Sequence, residues 1–228
     1  MCTTGKSHFQ VAPNKKRACM KIGIIGSGNM GGCLGMLWSR IGHQVMFSFT
    51  QDPEALDEAA TSADGRAGTT VDAAQFGDVV LVAVPWAAID IALKDAAPAL
   101  AGKVVISCNN PLRPDLSGLL LGTDTSGAEE VARLAPTAKV VEVLFPFAQQ
   151  LQSGKLQIGG QRPTQFYCGD DVDAKRVVAT LIGELGLKPV DAGPLTSARF
   201  LEPLGMLMVQ LAYRQGMGVN IGTQLLHL

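Results

Sequence analysis

Three glycines spaced Gly26-x-Gly28-x-x-Gly31 follow directly on an apolar run, Lys21-Ile22-Gly23-Ile24-Ile25. That spacing suits one chemistry: holding a diphosphate on bare backbone. Gly26 makes the tight turn, Gly28 lets the main chain approach the phosphates, and Gly31 lets a helix pack closely on the strand before it. The phosphates would rest on unpaired N–H groups at the helix start, where the peptide dipoles favour negative charge.

The other candidates lie where further apolar strands end. A dinucleotide site reads its adenosine ribose about 20 residues past the glycines, with an acid there for a free 2′-hydroxyl and a basic or hydroxyl group for a 2′-phosphate. Here the residues are Ser48-Phe49-Thr50-Gln51, with Asp52 and Glu54 following and no arginine. No acid stands at the strand end itself, and the hydroxyls of Ser48 and Thr50 can donate to a phosphate, so NADP (NADPH) is the expected cofactor. Val84-Pro85-Trp86 and Asn109-Asn110-Pro111 end two more strands and are expected to flank the nicotinamide, since ligands collect beyond the carboxyl ends of parallel strands. Trp86 reads equally well as a core aromatic capping the sheet. Phe145-Pro146-Phe147 closes another strand; it reads either as an apolar platform for a flat substrate ring or as ordinary core.

No Ser/His/Asp, Cys/His or paired-carboxylate constellation stands out, so no catalytic acid or base is named. Hydride transfer fits that lack, because it needs alignment and dryness more than proton chemistry. A reduction needing a proton donor would have to draw on Tyr167, Tyr213 or Ser107. The three histidines, His8, His43 and His227, are isolated and no metal site is expected. His43 reads as a cap at a helix–strand turn.

The elements that must position these residues alternate. Strands are expected at 21–25, 44–50, 78–84, 104–108, 139–144, 164–169 and 188–190, and helices at 33–41, 53–60, 87–96, 127–134 and 170–185, with a helical turn at 70–74. Residues 61–68 and 148–163 read as polar, irregular stretches and 114–126 as a Gly/Leu-rich loop. Residues 191–212 form a helical region that Pro203 should kink or split, and 204–212 is apolar nearly all round and should be buried, partly against a second subunit. The fold class is α/β: a doubly wound, mostly parallel sheet of Rossmann type, with a small C-terminal α/β portion ending in a buried helical region. Residues 1–19 read as a flexible extension with a basic cluster, Asn14-Lys15-Lys16-Arg17, and Met20 as an alternative start; 20–147 form the dinucleotide-binding domain, and 148–228 pack on it and form a dimer interface.

Composition narrows the partners. With 228 residues, 47% of them apolar and 17% charged, and a net charge of −1, the chain offers ample core and no basic surface for nucleic acid. No apolar run approaches a membrane span. Five scattered cysteines without a C-x-x-C pair suit a reducing compartment, so a cytoplasmic homodimer acting on a small molecule is expected.

The order of motifs resembles the NADPH-dependent F420 reductase family (F420H2:NADP oxidoreductases). The resemblance is carried by Gly26-Ser-Gly-Asn-Met-Gly31, Val84-Pro85-Trp86, Asn110-Pro111-Leu112, Cys168-Gly-Asp-Asp171 and, above all, Asp191-Ala-Gly-Pro-Leu-Thr-Ser-Ala-Arg-Phe-Leu-Glu202. It implies a Rossmann domain, often dimeric, that binds NADP at the glycine turn, with Ser27, Gly28, Asn29 and Met30 holding the pyrophosphate, and exchanges a hydride with a deazaflavin, coenzyme F420; a related domain in six-transmembrane metalloreductases passes electrons towards a flavin. Where the family holds the 2′-phosphate with Ser-Arg, this chain carries Phe49-Thr50, and Glu54 replaces a lysine. The polar rim of the family is replaced by Phe145-Pro146-Phe147. Two alternatives stand beside this reading: an imine or small-carbonyl reductase on the same fold, and a non-catalytic NADP-binding sensor.

Overall fold

The computed structural model describes residues 19–50, 52–154 and 156–227. The expected extension with its basic cluster lies outside the described residues but for Cys19, as does Gln51. The elements run β1 (Lys21–Ile25), α1 (Asn29–Ile41), β2 (Gln44–Ser48), α2 (Pro53–Ser62), β3 (Arg66–Ala67), α3 (Thr70–Phe76), β4 (Val79–Val82), α4 (Ile89–Lys94), β5 (Val104–Ser107), α5 (Gly127–Leu134), β6 (Lys139–Val143), α6 (Ala148–Ser153), β7 (Thr164–Gly169), α7 (Val172–Glu184), β8 (Lys188–Asp191) and α8 (Ala198–Val209). All eight strands form one sheet in the order β3-β2-β1-β4-β5-β6-β7-β8. Every pairing is parallel except β6 with β7.

The strands are buried on both faces because their sequences are. Ile22, Ile24, Leu81, Val141 and Val143 face one layer with α1 and α7; Ile25, Val80, Val82, Val105 and Val140 face the other with α3, α4, α5 and α8. The order reverses between β1 and β4, which opens the crevice where α/β sheets take ligands. His43 does serve as a brace: it is buried, its Nδ1 accepts from the Met20 N–H at 3.2 Å, and its Nε2 lies 2.8 Å from Glu184 Oε2, tying the α1–β2 turn to the end of α7.

Several expectations need correction. α1 starts at Asn29, four residues before the expected position, because the glycine turn is itself the helix's first turn. Its sheet-facing small residues are Gly31 and Gly35; a side chain at Gly35 would collide with Ile24 and Phe47. The polar stretch 148–163 contains α6, whose Leu151 packs into the core despite glutamines on either side. The loop 61–68 contributes the edge strand β3. The stretch expected as one helix over 87–96 is a 3-10 turn, Trp86–Ala88, followed by α4.

Pro203 neither ends nor splits α8. It is exposed, so the carbonyl it deprives of a donor is open to water. The break falls earlier, at the 3-10 turn Leu195–Ser197. Nor is 204–212 buried all round. Gly205, Met206, Val209 and Ala212 are buried, whereas Leu207 is 52% exposed and shares its face with Pro203 and Phe200, which is 77% exposed.

Candidate functional site

The glycine turn has the geometry its spacing predicts. Gly26 lies at φ +107°, a conformation other residues rarely hold. A Cβ on Gly31 would overlap the carbonyl oxygen of Gly26, so only glycine lets α1 sit this close to β1. A Cβ on Gly28 would meet nothing within 4 Å, so that stretch of backbone faces open space. Gly28 is the N-cap of α1 and no side chain caps the helix. The first N–H groups of an α-helix have no partner within it. Those of Asn29, Met30 and Gly31 are therefore left for a ligand.

Ser27 is committed elsewhere. Its N–H donates to Phe49 O at 3.3 Å and its hydroxyl to Ser48 O at 2.9 Å, binding the end of β2 to the turn. This corrects the expectation that the Ser27 amide holds phosphate. Ser48 is corrected as well: it is fully buried and its hydroxyl donates to Ile24 O at 2.8 Å, out of reach of a ribose phosphate. Phe49 adopts φ +58°, a left-handed turn that ends the strand. Thr50 stays accessible; its Oγ1 accepts from the Asp52 N–H at 3.2 Å, and Asp52 goes on to cap α2. Thr50 lines a groove of about 450 Å3 with Ser27, Gly28, Asn29, Gly32 and Ala55.

On the other side of the turn lies a second cavity, of about 200 Å3. It sits beyond the carboxyl ends of β5 and β6. Met30 from α1 forms one wall, Asn110 and Leu112 another, Phe145, Pro146 and Phe147 a third, and Glu202, Gly205 and Met208 of α8 a fourth. Ile221, Gly222 and Thr223 cover it, held where Thr164 N–H donates to Thr223 O at 2.8 Å. The two phenylalanines do not stack as a platform: Phe145 packs edge-on against Trp38 at 6.3 Å and Phe147 against Tyr213 at 5.7 Å. Both nonetheless face the cavity.

Asn109 is buried and its Nδ2 donates to Val84 O, making it a latch between the ends of β4 and β5. Val84 is buried, Pro85 is exposed, and Trp86 is half-buried against the core layer; none of the three lines either cavity. Asn110, by contrast, turns its Oδ1 inward without a partner.

The cavity also holds residues that the sequence reading passed over. Glu142, in the apolar run Lys-Val-Val-Glu-Val of β6, is 4% exposed, and Glu202 is 3% exposed. Sheet register puts Glu142 between Ser107 of β5 and Cys168 of β7. Glu202 accepts from the N–H groups of Gly127 and Ala128 at 3.0 and 3.1 Å, the start of α5. Beside it, Arg199 grips Glu129 with two bonds of 2.9 and 2.7 Å. Burial pushes Glu202 up to about 7 and, with the neighbouring Glu202 carboxylate, pushes Glu142 well above the ordinary range. The helix-end amides favour the charged form of Glu202, so Glu142 is the one that keeps its proton. Gln150 of α6 and Gln165 of β7 add buried amides. The signal for all this was a lone acid in an otherwise apolar strand.

None of the earlier proton-donor candidates is placed for the work. Tyr167 does not line the cavity, Tyr213 packs on Phe147, and Ser107 is buried beside Glu142. Among the described residues no group of three or more His, Cys, Asp or Glu is placed to hold a metal, and no helix is long and apolar enough to cross a membrane.

A Rossmann-type sheet, an uncapped glycine turn at its crevice and a partly open cavity at the same edge define a nucleotide-fold oxidoreductase class. Residues 21–111 match the family model described as NADP oxidoreductase, coenzyme F420-dependent. An F420-dependent NADP reductase of Methanocaldococcus jannaschii is 28% identical over 179 residues, 74% of this chain and 78% of that one. A solved structure from Arthrobacter sp. FB24, named as a candidate F420-dependent NADP-reductase, superposes with a TM-score of 0.81 at 27% identity, covering 91% of this chain and all of that one. An imine reductase from Pseudomonas sp. shares the fold, with a TM-score of 0.65 at 15% identity over 87% of this chain and 64% of that one. The chain is thus similar to F420-dependent NADP reductases, through the family model over residues 21–111 and through these relatives over most of its length.

Proposed function

We propose that this chain is an NADP-dependent oxidoreductase that exchanges a hydride between NADP(H) and a deazaflavin (coenzyme F420) or flavin-like acceptor. One observation carries the reading: two cavities meet at a single turn, residues 27–30. Ser27, Gly28 and Asn29 line the groove that runs to Thr50, and Met30 lines the partly open cavity. A dinucleotide whose diphosphate rests on the start of α1 would extend its adenosine along the groove and its nicotinamide towards the cavity. The donor set fits: free backbone amides, no capping side chain and no acid on the glycine turn. The names of the family relatives support NADP and F420 as the two substrates.

The bound dinucleotide supplies the hydride, and the protein's own residues orient and dehydrate. Gly26 and Gly31 hold α1 against β1 so that its amides point at the diphosphate. Asn109 locks the ends of β4 and β5 together, setting the width of the crevice. Phe145, Phe147 and Met208 exclude water from the reacting atoms, which must approach to about 3–3.5 Å. The exposed stripe of Phe200, Pro203 and Leu207 on α8 supports a homodimer, and free, scattered cysteines support a reducing, cytoplasmic setting.

The test is a fluorescence titration with NADPH and NADH, followed by stopped-flow oxidation of bound NADPH with F420, FMN and FAD. Tight NADPH binding and turnover with at least one acceptor are expected. NADPH that binds but survives every acceptor would favour a sensor, and turnover confined to imines would favour the imine-reductase alternative. In Gly28→Val the side chain points into open space and leaves the fold intact, while NADPH affinity falls by roughly a hundredfold or more. Retained affinity would move the diphosphate elsewhere.

A further inference from the structure

Four side chains that line the cavity carry five buried polar atoms without a hydrogen-bond partner: Asn110 Oδ1, Glu142 Oε2, Gln150 Nε2 and Oε1, and Gln165 Oε1. Their side chains come from four separate elements, and Glu142, Gln150 and Gln165 are each at least nine-tenths buried. Buried polar groups are ordinarily satisfied, so a cluster of exceptions facing one space marks a place built for a polar guest. No Lys, Arg or His lines that space. Burial and the Glu202 carboxylate of α8 disfavour a negative charge on Glu142 while Ser107 of β5 favours one, and the neighbouring thiols, Cys168 of β7 and Cys108 beyond β5, are held neutral.

We propose that Glu142 is the proton donor of this cavity: its carboxylic acid faces a neutral, conjugated C=N or C=O acceptor whose polar edge is held by Gln150, Gln165 and Asn110. The proposal rests on the hydride-transfer reading above and adds the residue that completes it. Glu142 gives its proton to the nitrogen or oxygen of the acceptor as the double-bond electron pair moves onto that atom. The carbon end takes the hydride, with its electron pair, from the dihydronicotinamide, which leaves as the oxidised cation. Water then returns a proton to the Glu142 carboxylate, and the cycle balances at one hydride and one proton per acceptor.

The cavity also sets a size. An apolar cavity of about 150 Å3 accommodates benzene, so about 200 Å3 admits one polar ring edge rather than a whole large substrate. The rest of a larger acceptor would emerge between α8 and the segment that carries Ile221 to Thr223.

The experiment uses the full chain and Glu142→Gln, which keeps the shape and a hydrogen bond but cannot deliver the proton. NADPH affinity by fluorescence should be unchanged, and stopped-flow hydride transfer to F420 or FMN should fall by about a hundredfold or more. The wild-type rate should decline as pH rises through the Glu142 titration, and the variant should lose that limb. Infrared spectroscopy at a pH above the Glu202 titration should find a protonated carboxyl stretch in the wild type that the Glu142→Gln variant lacks. Gln150→Leu, on a different element, should retain the infrared band and raise the acceptor KM about tenfold. Wild-type transfer rates in Glu142→Gln, or a wild type without the carboxyl band, would overturn the proposal. Failure of the wild type to bind NADPH would instead sink the function reading, and the infrared band would still decide the state of Glu142.

Discussion

Thr50 is where a single side chain should decide between cofactors. It occupies the accessible end of β2, beside the groove that Gly28 and Asn29 also line, and it offers a hydroxyl but no charge. Thr50→Arg should therefore tighten NADPH relative to NADH. A charge-assisted contact contributes about 1.5–3 kcal/mol, and the affinity ratio should move by roughly ten- to a hundredfold. Parallel fluorescence titrations measure it, and an unmoved ratio would place the adenosine ribose elsewhere. At this scale the sequence was half legible. The glycine turn could be read because its backbone requirements are local: Gly26 turns at φ +107° and Gly31 packs on the Gly26 carbonyl. Ser48 could not, since only the register of β2 on β1 turns its hydroxyl inward to Ile24. Glu142 and Gln150 were hidden for a related reason: what they face is fixed by packing between elements, not by spacing along the chain.

Among the elements, the clamp between α5 and α8 explains why the stretch Asp191 to Glu202 is so specific. Asp191 accepts from Gly193 N–H at 2.9 Å and pairs with Lys175, Gly193 turns at φ +99°, Arg199 grips Glu129, and Glu202 reaches the first amides of α5. The clamp has a pH signature. Glu202 titrates near 7 in the folded chain, and an unfolded glutamate near about 4.3. Between those values the native state holds more protons than the unfolded one, so stability falls as pH rises through that window. Glu202→Gln should flatten this slope in urea titrations run across the window; an unchanged slope would mean that Glu202 is charged throughout. The strands and long helices were legible from their apolar runs. α6 was not, because glutamines that look solvated flank the one leucine that anchors it.

For the whole molecule, the exposed stripe on α8 bears on assembly. Phe200 and Leu207 stand on one face, and stable interfaces bury upwards of about 1,000 Å2 around such anchors. Leu207→Glu should convert a dimer to a monomer in light scattering while leaving NADPH binding in place; a wild type that is itself monomeric would remove the second subunit from the account. The one antiparallel pairing, β6 with β7, has a broader reach. By reversing the chain there, it returns α8 and the segment after it to the same edge of the sheet that the glycine turn occupies. On the proposed function, most of the dinucleotide side is thus written in residues 21–111, the span of the family match, and most of the acceptor side in residues 142–223. A lineage can in consequence exchange one electron partner for another by editing the distal stretch alone, and kinship recognised through the proximal stretch speaks to the currency of the reaction more than to its recipient.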